Sequence, residues 1–200
     1  MTKFLLIRHA TTNAVGKRLS GRLPGVSLNT EGQRQAQQLA ERLAGIPISA
    51  IYSSPLERAV ETAASIAESH QVTCNICKDF VELDFGKWTN FTFEKLRDDP
   101  QFKLFNSFRS NTRIPGGEMM LEAQTRMITG LEKLRVQHPN QTVAVVSHAD
   151  LIKGAVMHYA GIHLDLFHRI EISPASVSVV EVYDEMARII QLNDTGKLNA

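Results

Sequence analysis

No apolar run in this 200-residue chain approaches the ~20 residues that a membrane helix requires. Phe4 to Ile7, near the head of the chain, is also far shorter than a signal-peptide core of about 7–15 residues. The expected address is therefore cytoplasmic, with no membrane partner. An excess of one charge is lacking too: Lys plus Arg numbers 22 against 21 for Asp plus Glu. No overall field draws the chain to nucleic acid, so any anion must be held by a local site. Cysteine is scarce. Cys74 and Cys77 have half of a zinc spacing, but no second pair of ligands stands at a matching distance, and residues three apart on a strand point to opposite faces. Both are read as structural thiols. Glycine-rich phosphate loops are missing as well: there is no G-x-G-x-x-G, and Gly16-Lys17 is followed by Arg18, with no glycine five residues before Gly16.

What the chain does have is 43% hydrophobic residues, enough for one sizeable core, at a length that suits one domain over residues 1–200. Short β-type runs alternate with helical stretches, the pattern of an α/β domain with a largely parallel sheet. Lys3 to Arg8 reads as the first strand. Thr30 to Leu43 reads as a helix, with Thr30 and Gln33 as a capping box and Ala36, Leu39, Ala40 and Leu43 in one apolar stripe. Ser49 to Ser54 is the next strand and Pro55 to Ser69 the next helix, with Ser54 as the expected N-cap. Val72 to Phe85 reads as two short β segments. The stretch from Gly86 to Gly117 loses strand periodicity and carries Trp88, Phe91, Phe93, Phe102, Phe105 and Phe108. It reads as a cap packed over something, with Trp88 in its core. Glu118 to Val136 is helical, Thr142 to Ser147 is strongly strand-like, and a helix follows from about Asp150 to Tyr159. Ser176 to Asp184 and Ala187 to Leu192 are close enough to pair as a hairpin.

Two of these strands end alike, in Arg8-His9-Ala10 and in Ser147-His148-Ala149. Ligands in open α/β sheets bind at the carboxyl ends of the strands. A third strand end delivers Arg58 into the first turn of a helix, where the dipole disfavours a cation and a bound anion would restore the balance. The two arginines offer fork-shaped donors that match phosphate, and the two histidines supply a candidate nucleophile and a partner donor. Glu82 and Asp84 are both candidates for a proton donor to a leaving oxygen. Two residues apart on a strand, they would share a face, so geometry alone does not separate them. The other histidines, His70, His138, His158, His163 and His168, read as surface or structural.

Arg8-His9-Ala10, Ser53-Ser54-Pro55-Leu56 with Arg58 and Thr62-Ala63, Glu82 followed by Phe85-Gly86-Lys87-Trp88, Pro115-Gly116-Gly117-Glu118, and Ser147-His148-Ala149 occur in that order. Together they resemble the histidine phosphatase superfamily, also called the phosphoglycerate mutase-like family. The resemblance implies a three-layer α/β/α sandwich with a mostly parallel central sheet and a small cap segment at about residues 87–117. It implies His9 as the nucleophile, Arg8, Arg58 and His148 as the phosphate clamp, and Glu82, ahead of Asp84, as the acid and then the base. It implies neither metal nor cofactor. Ser20-Gly21-Arg22 matches a loop that approaches the phosphate, though for Arg22 an ordinary surface turn is an open alternative. Alanine stands where the family usually has glycine, at Ala10 and at Ala149 beside the phosphate. Asn13 is expected to be a phosphate contact at most, since Val15 occupies the family's asparagine spacing. The implied activity is hydrolysis of a small phosphorylated metabolite through a phosphohistidine. Mutase activity and silent binding of a phosphorylated ligand are the alternatives. Separation of Arg109 from Arg113 by Ser110-Asn111-Thr112 favours hydrolysis. The oligomeric state cannot be read from the sequence.

Overall fold

The computed structural model describes residues 1–196; the end of the expected 1–200 domain, residues 197–200, lies outside the described residues. Six strands form one sheet: β1 (Thr2–Arg8), β2 (Ala50–Ser53), β3 (Cys74–Ile76), β4 (Thr142–Ser147), β5 (Val177–Val182) and β6 (Ala187–Asp194), in the order β3-β2-β4-β1-β5-β6. The pairs β1/β4, β2/β4 and β2/β3 are parallel, while β1/β5 and the terminal hairpin β5/β6 are antiparallel.

Helices cover both faces, and the strand sequences reflect this. Leu5 and Ile7 of β1 pack with α1 (Thr30–Leu43) and α2 (Glu57–His70), whereas Phe4 and Leu6 pack with α5 (Met120–Gln137) and α6 (Ala149–Ala160). A strand buried on both faces has no polar side to show, which is why the opening run is continuously apolar rather than alternating. The result is the expected three-layer α/β/α sandwich. Cys74 packs on the α1/α2 side and Cys77 on the other, and both are free thiols. Among the described residues no helix is long and apolar enough to cross a membrane.

Several local expectations are corrected. The N-cap of α1 is Asn29, whose side chain accepts the Gly32 N–H at 2.8 Å. Thr30 is already helical, so the Thr30–Gln33 box does not form, and the asparagine one residue earlier, on extended backbone, takes the role. Helix α2 begins at Glu57 with Leu56 as a cap that has no side-chain hydrogen bond. Ser54 is not that cap; its hydroxyl accepts the Leu56 N–H at 3.4 Å and pairs more closely with His148. Of the two β segments expected between Val72 and Phe85, only Cys74–Ile76 is a strand. A single 3₁₀ turn, Lys78–Phe80, follows, and Glu82 lies on irregular backbone. The aromatic stretch is also more ordered than expected, holding a 3₁₀ turn at Gly86–Trp88 and two short helices, α3 (Phe93–Leu96) and α4 (Pro100–Ser107). Trp88 is buried against Phe102 and Phe105, with ring centroids 5.3 and 5.6 Å away.

Two glycines seat this stretch on the body. The Glu118 N–H donates to the Asp84 carbonyl at 3.0 Å and the Lys87 N–H to the Pro115 carbonyl at 2.9 Å. Backbone meets backbone, so there is no space for a side chain. A Cβ at Gly117 would lie 2.2 Å from the Asp84 oxygen, and one at Gly86, where φ is +46°, would lie 2.3 Å from the Pro115 oxygen. Gly117→Ala is expected to cost about 2–4 kcal/mol, because the clashing atom is backbone that cannot swing away. Thermal unfolding should show a drop in Tm of roughly 5–15 °C; a change under ~2 °C would mean that the two segments separate freely.

Candidate active site

The parallel pairing of β1 with β4 sets Arg8 opposite Ser147, so the next residue on each strand, His9 and His148, emerges side by side. The His9 N–H donates to the Ser147 carbonyl at 3.0 Å, and the two imidazoles stand edge to face with centroids 5.1 Å apart. Strand β2 ends beside β4 and delivers Ser54, whose Oγ is 2.7 Å from His148 Nε2. From the first turn of α2, Arg58 reaches under the strand ends, only 2% exposed. Its Nε donates to His9 Nε2 at 3.2 Å and its Nη2 to the Gly21 carbonyl at 2.8 Å. Arg8 is anchored through Nη1 to the Ile172 carbonyl at 2.6 Å.

These bonds determine how His9 is protonated. Its Nδ1 lies 2.7 Å from the Ala10 carbonyl, which can only accept, so Nδ1 carries the proton and Nε2 keeps a lone pair that meets the Arg58 donor. Burial first, and then the charges of Arg58 and Arg8, hold the His9 imidazole well below the usual histidine range. His148 is held down in the same way, by burial first and then by Arg58 and His9. Both rings are therefore neutral near pH 7. Three buried groups here have no hydrogen-bond partner within the protein: Arg8 Nε, Arg58 Nη1 and His148 Nδ1. Orphaned donors of that kind in one pocket suit an anion with several acceptor oxygens.

Glu82 completes the cluster. Its Oε2 is 3.8 Å from His148 Nδ1, and its Oε1 accepts the Leu83 N–H at 2.8 Å. Burial, then the nearby charge of Asp150, pushes the carboxyl up to about 7 against the opposing pull of Arg58, Leu83 and Arg8. Asp84 is turned elsewhere: it accepts the Gly86 N–H at 2.9 Å and faces Arg22 at 3.7 Å. Because this segment is not a strand, the two acids do not share a face. Arg22 does not line the cavity. Its Nε donates to the Glu82 carbonyl at 2.8 Å and its Nη2 pairs with Glu118 at 2.7 Å, so it fixes the Glu82 backbone from behind. Asn13 is also outside, where its Oδ1 accepts from Asn29 Nδ2 at 3.2 Å. Gly21 and Ala149 do line the cavity, as does Val15.

The cavity has a volume of about 240 Å³ and is lined by Phe85, Phe93, Phe102 and Phe105 together with polar groups. At ~30 Å³ per water this is the volume of roughly eight waters, which suits a small metabolite. The polar lining also contains Arg109, Asp150, Asn106 and His168, none of them among the site residues expected from the sequence. His168, taken as structural, lines the cavity. Only the position of Asp150, two residues beyond His148, hinted at its presence here.

Fold and site together define an α/β enzyme that handles phosphate. The profile of the histidine phosphatase superfamily (branch 1) matches residues 4–195. Phosphoserine phosphatase 1 of Hydrogenobacter thermophilus is 32% identical over 199 residues, covering 98% of this chain and 93% of that protein. A bifunctional protein of Mycobacterium tuberculosis is 36% identical over 204 residues; there the match covers 98% of this chain but spans only 55% of the relative's length. Among solved structures, a mutant phosphoserine phosphatase from Entamoeba histolytica in complex with phosphoserine superposes with a TM-score of 0.86 at 28% identity, covering 98% of each chain. The chain belongs to the histidine phosphatase superfamily, and it is a phosphatase.

The three shifted groups oppose one another in stability. Below about pH 6.5 the unfolded chain protonates His9 and His148 while the folded chain does not, so each removes up to about 1.4 kcal/mol per pH unit as pH falls. Glu82 has the reverse sign: from about 7 down to 4.5 the folded state holds a proton that the unfolded state lacks, so its contribution grows as pH falls. From these three groups, two protons against one leave a net slope of about 1.4 kcal/mol per unit between about pH 5 and 6, with stability rising as pH rises, and His168, lowered mainly by burial, adds to the same sign. Glu82→Gln removes the opposing group and should steepen that slope in urea unfolding by up to about 1.4 kcal/mol per pH unit. An unchanged slope would place the Glu82 carboxyl outside the desolvated site.

Proposed function

We propose that this protein hydrolyses small phosphomonoesters without a metal, through a phosphohistidine at His9. The observation that carries the reading is the state of His9: a buried, neutral imidazole whose Nε2 keeps its lone pair and meets the Arg58 guanidinium, with the charge of Arg8 nearby. In the first step His9 Nε2 attacks phosphorus, an N–P bond forms and the ester P–O bond breaks. The leaving oxygen takes its proton from Glu82, which at about 7 is substantially protonated in neutral solution. Arg8, Arg58 and His148 Nδ1 stabilise the charge spread over the equatorial oxygens, the work that a metal ion does in other phosphoryl-transfer sites. In the second step the Glu82 carboxylate accepts a proton from water as the water oxygen bonds to phosphorus. The N–P bond breaks, and inorganic phosphate leaves with His9 neutral again. The Nδ1 bond to Ala10 serves throughout, so the imidazole need not turn.

The cap supports hydrolysis over transfer within the substrate. Arg113 is exposed and paired with Glu122, and Arg109 is paired with Asp150, so neither forms part of an adjacent cationic pair for a second phosphate. Relatives named as phosphoserine phosphatases put phosphorylated amino acids and acids of similar size among the first substrates to try.

Phosphate release in the presence of a chelator tests the reading. His9→Ala should lower kcat by at least ~10³-fold with the fold intact; retained turnover would remove His9 as the nucleophile. For alkyl phosphates kcat/KM should fall as pH rises through about 7, as Glu82 loses its proton. Glu82→Gln should lower that value by roughly 10²–10⁴-fold for an alkyl ester but by under ~10-fold for p-nitrophenyl phosphate, whose leaving group needs no proton. Asp84→Ala should stay within ~3-fold of wild type. Equal losses for both esters in Glu82→Gln would assign the acid elsewhere.

A further inference from the structure

Beyond the phosphate clamp, the cavity contains an acid that the mechanism above does not use. Asp150 is the second residue of α6, two positions after His148, and its side chain is half-buried, 20% exposed, at the polar wall of the cavity. Arg109 Nη1 donates to its Oδ2 at 3.2 Å, and no other hydrogen bond to the Asp150 carboxylate is made among the described residues. Arg109 itself is locked in place. Its Nη2 donates to Asn106 Oδ1 at 2.9 Å, and its guanidinium lies 3.8 Å over the Phe167 ring and 4.5 Å from that of Phe105. The pair is therefore rigid, and one oxygen of the carboxylate is left for something else. An ion pair with its arginine buried adds little to stability, because desolvation cancels most of the attraction.

Its charge has a consequence for what can bind. The cavity is lined by Arg8, Arg58 and Arg109, with two acids opposing them, Glu82 beside the histidines and Asp150 beside Arg109. An ester whose leaving alcohol is a plain acid would bring a second anion next to Asp150. One that carries an ammonium near the ester oxygen would offer Asp150 a charged donor instead, and a carboxylate on the same molecule could still turn to the remaining N–H groups of Arg109. We propose that Asp150, oriented by Arg109, is the binding residue for an ammonium group on the substrate. On this assignment the cavity prefers phosphomonoesters of small amino alcohols and hydroxy amino acids to esters of the same shape that lack the amine. The inference rests on the hydrolase reading and deepens it.

O-Phosphoserine and 3-phosphoglycerate make a matched pair, since one has an ammonium where the other has a hydroxyl. Wild-type kcat/KM should favour phosphoserine by roughly 10- to 100-fold, the worth of one charge-assisted hydrogen bond. Asp150→Asn should bring the ratio to within ~3-fold of unity. Calorimetric titration of His9→Ala protein with the two intact esters should give the same preference in Kd, without turnover and without an Asp150 variant. A ratio near one in the calorimetry, or a ratio that survives Asp150→Asn, overturns the assignment. If the calorimetry shows the preference while no ester releases phosphate from the wild type, Asp150 keeps its role and the hydrolase reading fails instead.

Discussion

Parallel pairing of β1 with β4 is the constraint on which the rest of the site depends. The register that places Arg8 across from Ser147 is specified along the whole length of both strands, because each is buried on both faces and a slip of one residue would exchange the side chains on those faces. Two histidines from positions 9 and 148 are thereby brought into contact, with rings 5.1 Å apart, by backbone bonds rather than by any attraction between the rings. The pairing of β2 with β4 then adds Ser54, and the helix after β2 adds Arg58. No side chain in the cluster has to find the others; the sheet sets them down together.

The same arrangement is costly in isolation. Arg8 and Arg58 are both lowered by burial, and each repels the protonated form of the two histidines. What the fold gains is a set of donors already desolvated and aimed. That preorganisation, in the proposed mechanism, stabilises a phosphoryl group as its charge shifts, with no reorganisation during the step. In the proposed mechanism the neutrality of His9 is also what keeps its lone pair available, so one electrostatic environment serves both the nucleophile and the clamp.

A second layer of contacts decides which acid faces the cavity. Arg22 holds the Glu82 carbonyl, and Glu118 accepts the Asp84 N–H at 3.1 Å while pairing with both Arg22 and Arg126. Arg126 in turn donates to the carbonyls of Asp79 and Val81. Three charged side chains thus grip an irregular segment that has no strand partner of its own. The glycines at 86 and 117 let the cap lie directly on that segment, and the cap brings Arg109 to Asp150. Positioning of Glu82 and enclosure of the cavity are therefore linked through the same few backbone contacts.

Much of this was legible in the chain. The apolar runs with their terminal histidines named the strands and the edge where chemistry would gather, and Arg58 at a helix start stood out because it opposed the local dipole. The clustering of Arg8, His9, Arg58, His148 and Glu82 agrees with the motif order. What the chain could not disclose depends on non-local bonds. Glu82 and Asp84 are indistinguishable by spacing, and only the absence of a strand there turned them apart. Arg22 and Asn13 looked like phosphate contacts because they lie near the motifs in sequence, but Glu82, Glu118 and Asn29, far away in the chain, drew them elsewhere. Asp150 and Arg109 had no motif to announce them. Sequence by itself determined which residue types lie at the strand ends, because burial on two faces leaves a local pattern. The tertiary structure alone decided which polar side chains share the cavity, because that follows from contacts between segments that the local pattern does not encode.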